Sequence, residues 1–254
     1  GSVRYGLAAI VFAGIALVAE RSLRMGRRDL LTALAAGLVL YVNQLGFVYA
    51  LRSTSASVIA LILATTPIVA ALIGLVLRSE TLHRRFWAGA TLSLAGVAIV
   101  AAATGGAIAG SLGGVLLGLL TAATWAVYSI IVTPLMQRHS ASRISATVLT
   151  AAWVPLTLTA TPQLAEQDWA LGWEVWALLV FATLGPLVLT NVLWFRSLDR
   201  IGPARATLAT NLQPFLAALF AIVLLGEPVE PLLLLGGALI AAGILVARRR
   251  GTIA

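Results

Sequence analysis

Apolar residues neither alternate along this chain nor recur on one helical face; they come in long unbroken runs. Nine such runs stand out, at about 5–19, 30–51, 54–77, 86–103, 113–137, 144–161, 175–195, 206–225 and 231–247. Most approach the roughly 20 residues that a helix needs to cross the hydrocarbon of a bilayer. Inside that hydrocarbon a backbone can satisfy its polar groups only within a helix or a closed barrel. Runs of this length, joined by short polar connections, predict helices. The one break in composition is the Gly-rich TGGAIAGSLG at 104–113. It divides the chain into a first repeat over 1–104, a linker over 105–112 and a second repeat over 113–254.

The word repeat is meant literally. Shifted by 147 positions, Leu51, Pro67, Glu80, Gly89 and Gly96 fall on Leu198, Pro214, Glu227, Gly236 and Gly243 without a gap. Ala and Leu coincide by chance in so apolar a chain, but a proline, an acid and two glycines in one frame rarely do. Pro67 lies on the third run and Pro214 on the eighth, five crossings apart. An odd number of crossings reverses direction, so the halves run oppositely through the bilayer, the inverted repeat of many secondary transporters. The fifth run would pair with a position before Gly1. The repeat therefore predicts two halves of five helices, with the first helix missing from this chain.

Composition agrees and charge adds an orientation. Hydrophobic residues make up 60% of the chain and charged residues 10%, far below the roughly 25% charged of soluble domains. The net charge of +8 comes from arginines in short clusters between the runs, which marks membrane flanks and gives no reason to expect nucleic acid. Fifteen of the 17 arginines fall on one side, in the connections after runs one, three, five and seven and at the C-terminus. Basic connections stay cytoplasmic, so the C-terminus is expected inside. Trp169, Trp173 and Trp176 suit an outer aromatic belt and Trp87 an inner one. With no cysteine in the chain, thiol and disulfide chemistry are excluded.

RYGLAAIVF at 4–12 and ALRSTSASVIALILATTPIVAALIGLVLRSETL at 50–82 resemble the first half of an EamA-type drug/metabolite transporter. GGVLLGLLTAATWAVYSII at 113–131 and SLDRIGPARATLATNLQPFLAALFAIVLLGEPV at 197–229 resemble the second. The resemblance implies ten helices, two inverted halves, a central cavity and, for bacterial members, export across the inner membrane. Aromatic amino acid exporters stand first among the relatives it suggests.

Candidate chemistry is sparse. Pro67 and Pro214 sit mid-run, where a proline removes one backbone hydrogen bond and crowds the carbonyl one turn earlier, here those of Leu63 and Thr210. They are either hinges or tolerated kinks whose freed carbonyls find local partners. Thr65 and Thr66 flank the first and Asn211 and Gln213 the second, and Thr66, Asn211 and Gln213 are candidate substrate contacts as well. Tyr41, Asn43, Gln44 and Asn191 form a second polar set. A buried amide without a partner costs several kcal/mol, so these bond either to another helix or to a substrate. Phe12, Tyr41, Trp125, Tyr128 and Trp153 lie near mid-depth and would form an aromatic box if they converge, or packing and lipid-facing residues if they do not. No Asp, Glu, Arg or His lies inside the nine runs, so there is no proton relay of the intramembrane kind. Gly114 and Gly118 form a GxxxG close-packing motif, and Glu80 and Glu227 cap or pair at their helix ends.

The expected protein is a multi-pass inner-membrane exporter of small metabolites, amino acids first and aromatic ones in particular. It works by alternating access as a uniporter, with the bilayer as its surroundings and a monomer or weak dimer as its state. A proton-coupled multidrug exporter is the alternative. An intramembrane enzyme would need a catalytic pair or metal-ligand set at membrane depth, and the runs supply none. No catalytic residue, metal or cofactor is called for.

Overall fold

The computed structural model describes residues 1–78, 82–103, 111–225 and 230–248. Glu80, Glu227, most of the Gly-rich linker and the C-terminal arginines Arg249 and Arg250 lie outside them. The described residues form helices: α1 (Ser2–Glu20), α2 (Arg27–Ser53), α3 (Ala56–Leu63), α4 (Thr66–Val76), α5 (Arg84–Ala103), α6 (Leu112–Val132), α7 (Ala141–Glu166), α8 (Trp173–Thr183), α9 (Thr190–Ile201), α10 (Pro203–Thr210), α11 (Gln213–Leu225) and α12 (Pro231–Ala247). A 3₁₀ turn at Thr133–Gln137 extends α6, and a π turn at Leu184–Leu189 joins α8 to α9. Among the described residues, eight helical stretches are long and apolar enough to cross a membrane, and α12, at 17 residues, is shorter. Large apolar side chains such as Val18, Leu158, Phe181 and Val223 stand exposed along them, as a lipid environment allows.

Three of the expected runs are interrupted. The third divides at Ala64–Thr65 into α3 and α4, the eighth at Asn211–Leu212 into α10 and α11. Both breaks stand just before a proline, Pro67 or Pro214, whose missing N–H leaves the Leu63 or Thr210 carbonyl without its helical donor. The seventh run carries the π turn, around Gly185 and Pro186; the sequence reading had it continuous. Pro155 and Pro162, by contrast, stay within α7. Serines start three of the helices by N-capping: Ser55 accepts from the Val58 N–H, Ser111 from the Gly114 N–H and Ser140 from the Arg143 N–H.

The chain divides into two compact units, 1–42 with 128–200 and 43–127 with 201–254. The division falls within α2 and α6, and each unit takes segments from both sides of the linker.

In the first unit α1 lies antiparallel to α7. Ser2 Oγ meets Thr157 Oγ1 at 2.6 Å near one end, Gly6 receives the Trp153 indole further along, and Glu20 reaches Arg143 at the other end. Gly6 and Trp153 are themselves 147 positions apart. The first half of α2 docks through Gly37, where an added methyl would stand 2.6 Å from the Val148 carbonyl oxygen. Phe12, Tyr128, Ile144, Leu149, Phe195 and Leu198 are the large buried side chains here.

In the second unit α5 and α12 meet backbone to backbone. Gly89 faces the Gly243 carbonyl and Gly96 faces the Gly236 carbonyl. A methyl added at Gly96 or at Gly236 would lie 2.7 or 2.8 Å from the facing oxygen. The pairing is reciprocal: Gly89 meets the repeat mate of Gly96, and Gly96 meets the mate of Gly89. Two elements related by a twofold axis make contacts of this kind. The apolar clusters on either side are mates as well. One holds Ile68, Ala71, Phe86, Leu208 and Ala247; the other holds Phe215, Ala218, Leu233, Leu61 and Val100, each 147 positions from its counterpart. Alongside, α6 brings Gly114 onto the Ser53 carbonyl and Gly118 onto Ile62, the close packing expected of GxxxG.

Candidate functional site

The first unit holds five of the candidate side chains. Phe12 has no exposed surface and Tyr128 only 2%, so both are occupied with packing in this conformation. Tyr41, Trp153 and Asn191 remain partly exposed. Trp153 is held in place because Gly6 leaves room for its indole. Asn191 follows the π turn and donates through Nδ2 to the Leu187 carbonyl at 3.1 Å, while Thr190 Oγ1 donates to the Gly185 carbonyl at 3.3 Å. The side-chain hydroxyl and amide thus add to the bonds these carbonyls already accept from the Thr190 backbone N–H.

The second unit holds the other six and both prolines. Asn43 is buried and donates through Nδ2 to the Thr121 carbonyl at 2.8 Å and to Thr124 Oγ1 at 3.2 Å, tying α2 to α6. Gln44 Nε2 donates to Asn43 Oδ1 at 3.3 Å, so these two neighbours form one amide chain ending at a partly exposed residue. Trp125, on α6 beside Thr124, is also partly exposed. Thr66 and Pro67 are buried at the first break; at the second, Pro214 is half-buried and Gln213 exposed. Asn211 is buried, its Nδ2 donating to the Ala64 carbonyl at 3.3 Å and to Ser93 Oγ at 3.1 Å. The two breaks therefore touch, through an amide that was expected to face substrate. Among the described residues no group of three or more His, Asp or Glu side chains is placed to hold a metal.

The sequence reading missed a polar cluster in the first unit. Asp29, at the start of α2, accepts from Arg138 and faces His139 Nε2, both at 2.9 Å. Glu20, at the end of α1, accepts from Arg143 at 2.6 Å and from the Ser140 hydroxyl. These arginines count toward orientation in the sequence; in the structure two of them also fasten the end of α6 and the start of α7 to α1 and α2. The only signal was an acid on each side of the basic stretch at 21–28.

Apolar helices of spanning length, with amides and hydroxyls buried among them, define a multi-pass membrane protein. The family model of the EamA-like transporter family matches residues 1–102 and 112–249, and the chain belongs to that family. Among curated proteins it is 29% identical over 191 residues to a "Probable terminal-alkyne amino-acid exporter" of Streptantibioticus cattleyicolor, covering 75% of this chain and 63% of that protein. It is 25% identical over 193 residues to the "Uncharacterized transporter YdfC" of Bacillus subtilis, covering 76% of this chain and 62% of that one. The chain thus spans less than two thirds of the length of these relatives. A solved structure described as "Crystal structure of protein" shares the fold at a TM-score of 0.79 and 22% identity, covering 97% of this chain and 85% of that one.

Proposed function

We propose that this chain belongs to an exporter of small neutral or zwitterionic metabolites, amino acids first and aromatic ones in particular, acting in the inner membrane with its C-terminus in the cytoplasm. The similarity to an amino-acid exporter carries the substrate class. The candidates that are not buried supply its chemistry: Tyr41, Trp153 and Asn191 in one unit, Gln44, Trp125 and the exposed Gln213 in the other. Neutral amides bind amino and carboxyl groups without fixed charge in the bilayer, and indole faces stack on aromatic side chains for about 0.5–1.5 kcal/mol per contact beyond area burial.

Transport proceeds by alternating access between two inverted halves. The reciprocal glycine contacts of α5 and α12 and the paired clusters beside them support that inversion. Pro67 and Pro214 act as hinges at the two breaks. With no Asp, Glu, Arg or His inside the runs to carry a coupling proton, the cycle is a uniport.

Counterflow of labelled amino acids in proteoliposomes carrying the full-length protein tests the reading. Phe and Trp should exchange faster than Thr, and an imposed pH gradient should drive no accumulation. Trp125→Ala or Trp153→Ala should weaken aromatic substrates more than aliphatic ones, by up to about tenfold per lost contact. Equal losses for Phe and Thr would remove the aromatic assignment; accumulation driven by protons would replace the uniporter with a coupled exporter.

A further inference from the structure

The two helix breaks are equivalent in sequence position but not in chemistry. The backbone slips the same way at both: the Thr65 N–H bonds to the Ile62 carbonyl and, at the mate positions, the Leu212 N–H to the Ala209 carbonyl; at the first, the Ile68 N–H also bonds to the Thr65 carbonyl. The chain has slipped from the four-residue to the three-residue pattern, and the Ala64 carbonyl turns outward to Asn211. Ala64 and Asn211 are 147 positions apart, so this bond joins a residue to its own repeat mate. Such a contact falls on the axis relating the two halves. The second acceptor of the Asn211 amide, Ser93 on α5, has Ile240 on α12 as its mate. Ala64 and Ile240 share one apolar cluster. One side of the axis therefore carries a buried amide and hydroxyl, and the equivalent place on the other side carries two apolar side chains. Asn211 and Ser93 are 3% and 0% exposed, so water does not take over their bonds.

We propose that Asn211, with Ser93, is a one-sided latch that makes the two access states of the protein unequal and favours the arrangement described here. The inference rests on the alternating-access reading above. In an inverted repeat, access switches when each half adopts the conformation of the other. For most of the second unit that exchange replaces one contact by its equivalent, as with Gly89–Gly243 for Gly96–Gly236. At the breaks it cannot. The exchanged arrangement would ask the Ala64 side chain to donate to the Asn211 carbonyl, and a methyl has no donor. The latch must open with no replacement, leaving a buried amide and the Ala64 carbonyl unsatisfied. A ligand or a substitution that removes this difference brings the two states closer in population. Asn211 is thus a positioning residue in the transport cycle.

The test reads the balance between states directly. Single cysteines at Gln44 or Gln213, neither of them buried, are labelled with an impermeant thiol reagent from each side of oriented proteoliposomes. The measured quantity is the ratio of the two rates. Asn211→Ala, which gives the second break the residue found at the first, should shift that ratio by about tenfold toward the second state. Ser93→Ala keeps the fold's volume, removes one of the two acceptors and should shift it the same way by roughly threefold. Moving the latch across the axis, with Asn211→Ala, Ala64→Asn and Ile240→Ser together, should carry the ratio further in that direction. A lowered Tm with an unchanged ratio in both single variants would make Asn211 a structural residue only and overturn the proposal. Cysteines introduced at these positions in the otherwise wild-type chain that never react from the second side, even with amino acid present, would overturn the alternating-access reading and the latch with it.

Discussion

Two helix seams in this molecule join repeat mates, and they do so by opposite means. Between α5 and α12 four glycines bring backbone onto backbone, with each pair the image of the other. Between α1 and α7 one glycine faces an indole, and the ends are tied by a hydroxyl pair and an ion pair. Both seams are antiparallel. The first is limited by facing backbone carbonyls, which cannot move aside as a side chain can. The second is built of side chains and can adjust. Equivalent geometry thus leaves different tolerances, and tolerance is what substitution measures.

The largest expected effect is at the glycine seam. Gly89→Ala and Gly243→Ala each push a methyl into a facing backbone and should each cost about 3 kcal/mol in detergent, the upper end for overpacking. Because either one forces the helices apart, the double variant should lose less than the sum by about 1 kcal/mol or more, read from thermal or denaturant unfolding. Simple additivity would mean that the seam yields locally.

The ion pair at the end of the side-chain seam comes next. Glu20→Gln should cost about 1.5 kcal/mol, the Glu20→Arg/Arg143→Glu exchange should regain more than half of it, and both effects should shrink in high salt. The glycine variants should be indifferent to salt. Gly6→Ala is milder, at about 1 kcal/mol, since the obstacle is the Trp153 side chain; adding Trp153→Leu should relieve most of it. If Gly6→Ala matched Gly89→Ala in cost, the contrast between the seams would fail. Ser2→Ala is the smallest, at about 0.6 kcal/mol for a hydroxyl bond between membrane helices, measured in the same unfolding series.

Much of this architecture was legible in the chain. The apolar runs mark the helices because a bilayer leaves the backbone no other arrangement, and Pro67 and Pro214 mark the breaks because the missing N–H acts locally. Gly89, Gly96, Gly236 and Gly243 were visible as repeat landmarks, yet their mutual contact was not, since a repeat gives correspondence and not adjacency. The π turn escaped because Gly185-Pro186 is compatible with a simple kink, and only the packed helix decides. Glu20 and Asp29 escaped for a different reason. Their partners lie more than a hundred positions away, and a charge in sequence says nothing of which distant charge it meets. The same distance hides the pairing of Asn211 with Ala64 and Ser93.

The reciprocity of the α5 and α12 contact has a consequence for how such a chain can change over time. A half-length ancestor inserted in both directions could make this contact with a copy of itself, and any substitution in it would strike the interface twice. Once the two copies are joined in one chain, each substitution strikes once, and the copies are free to diverge at one position while the rest of the seam stays matched. Asn211 opposite Ala64 is such a divergence. Duplication followed by fusion supplies an asymmetry that two identical halves cannot encode.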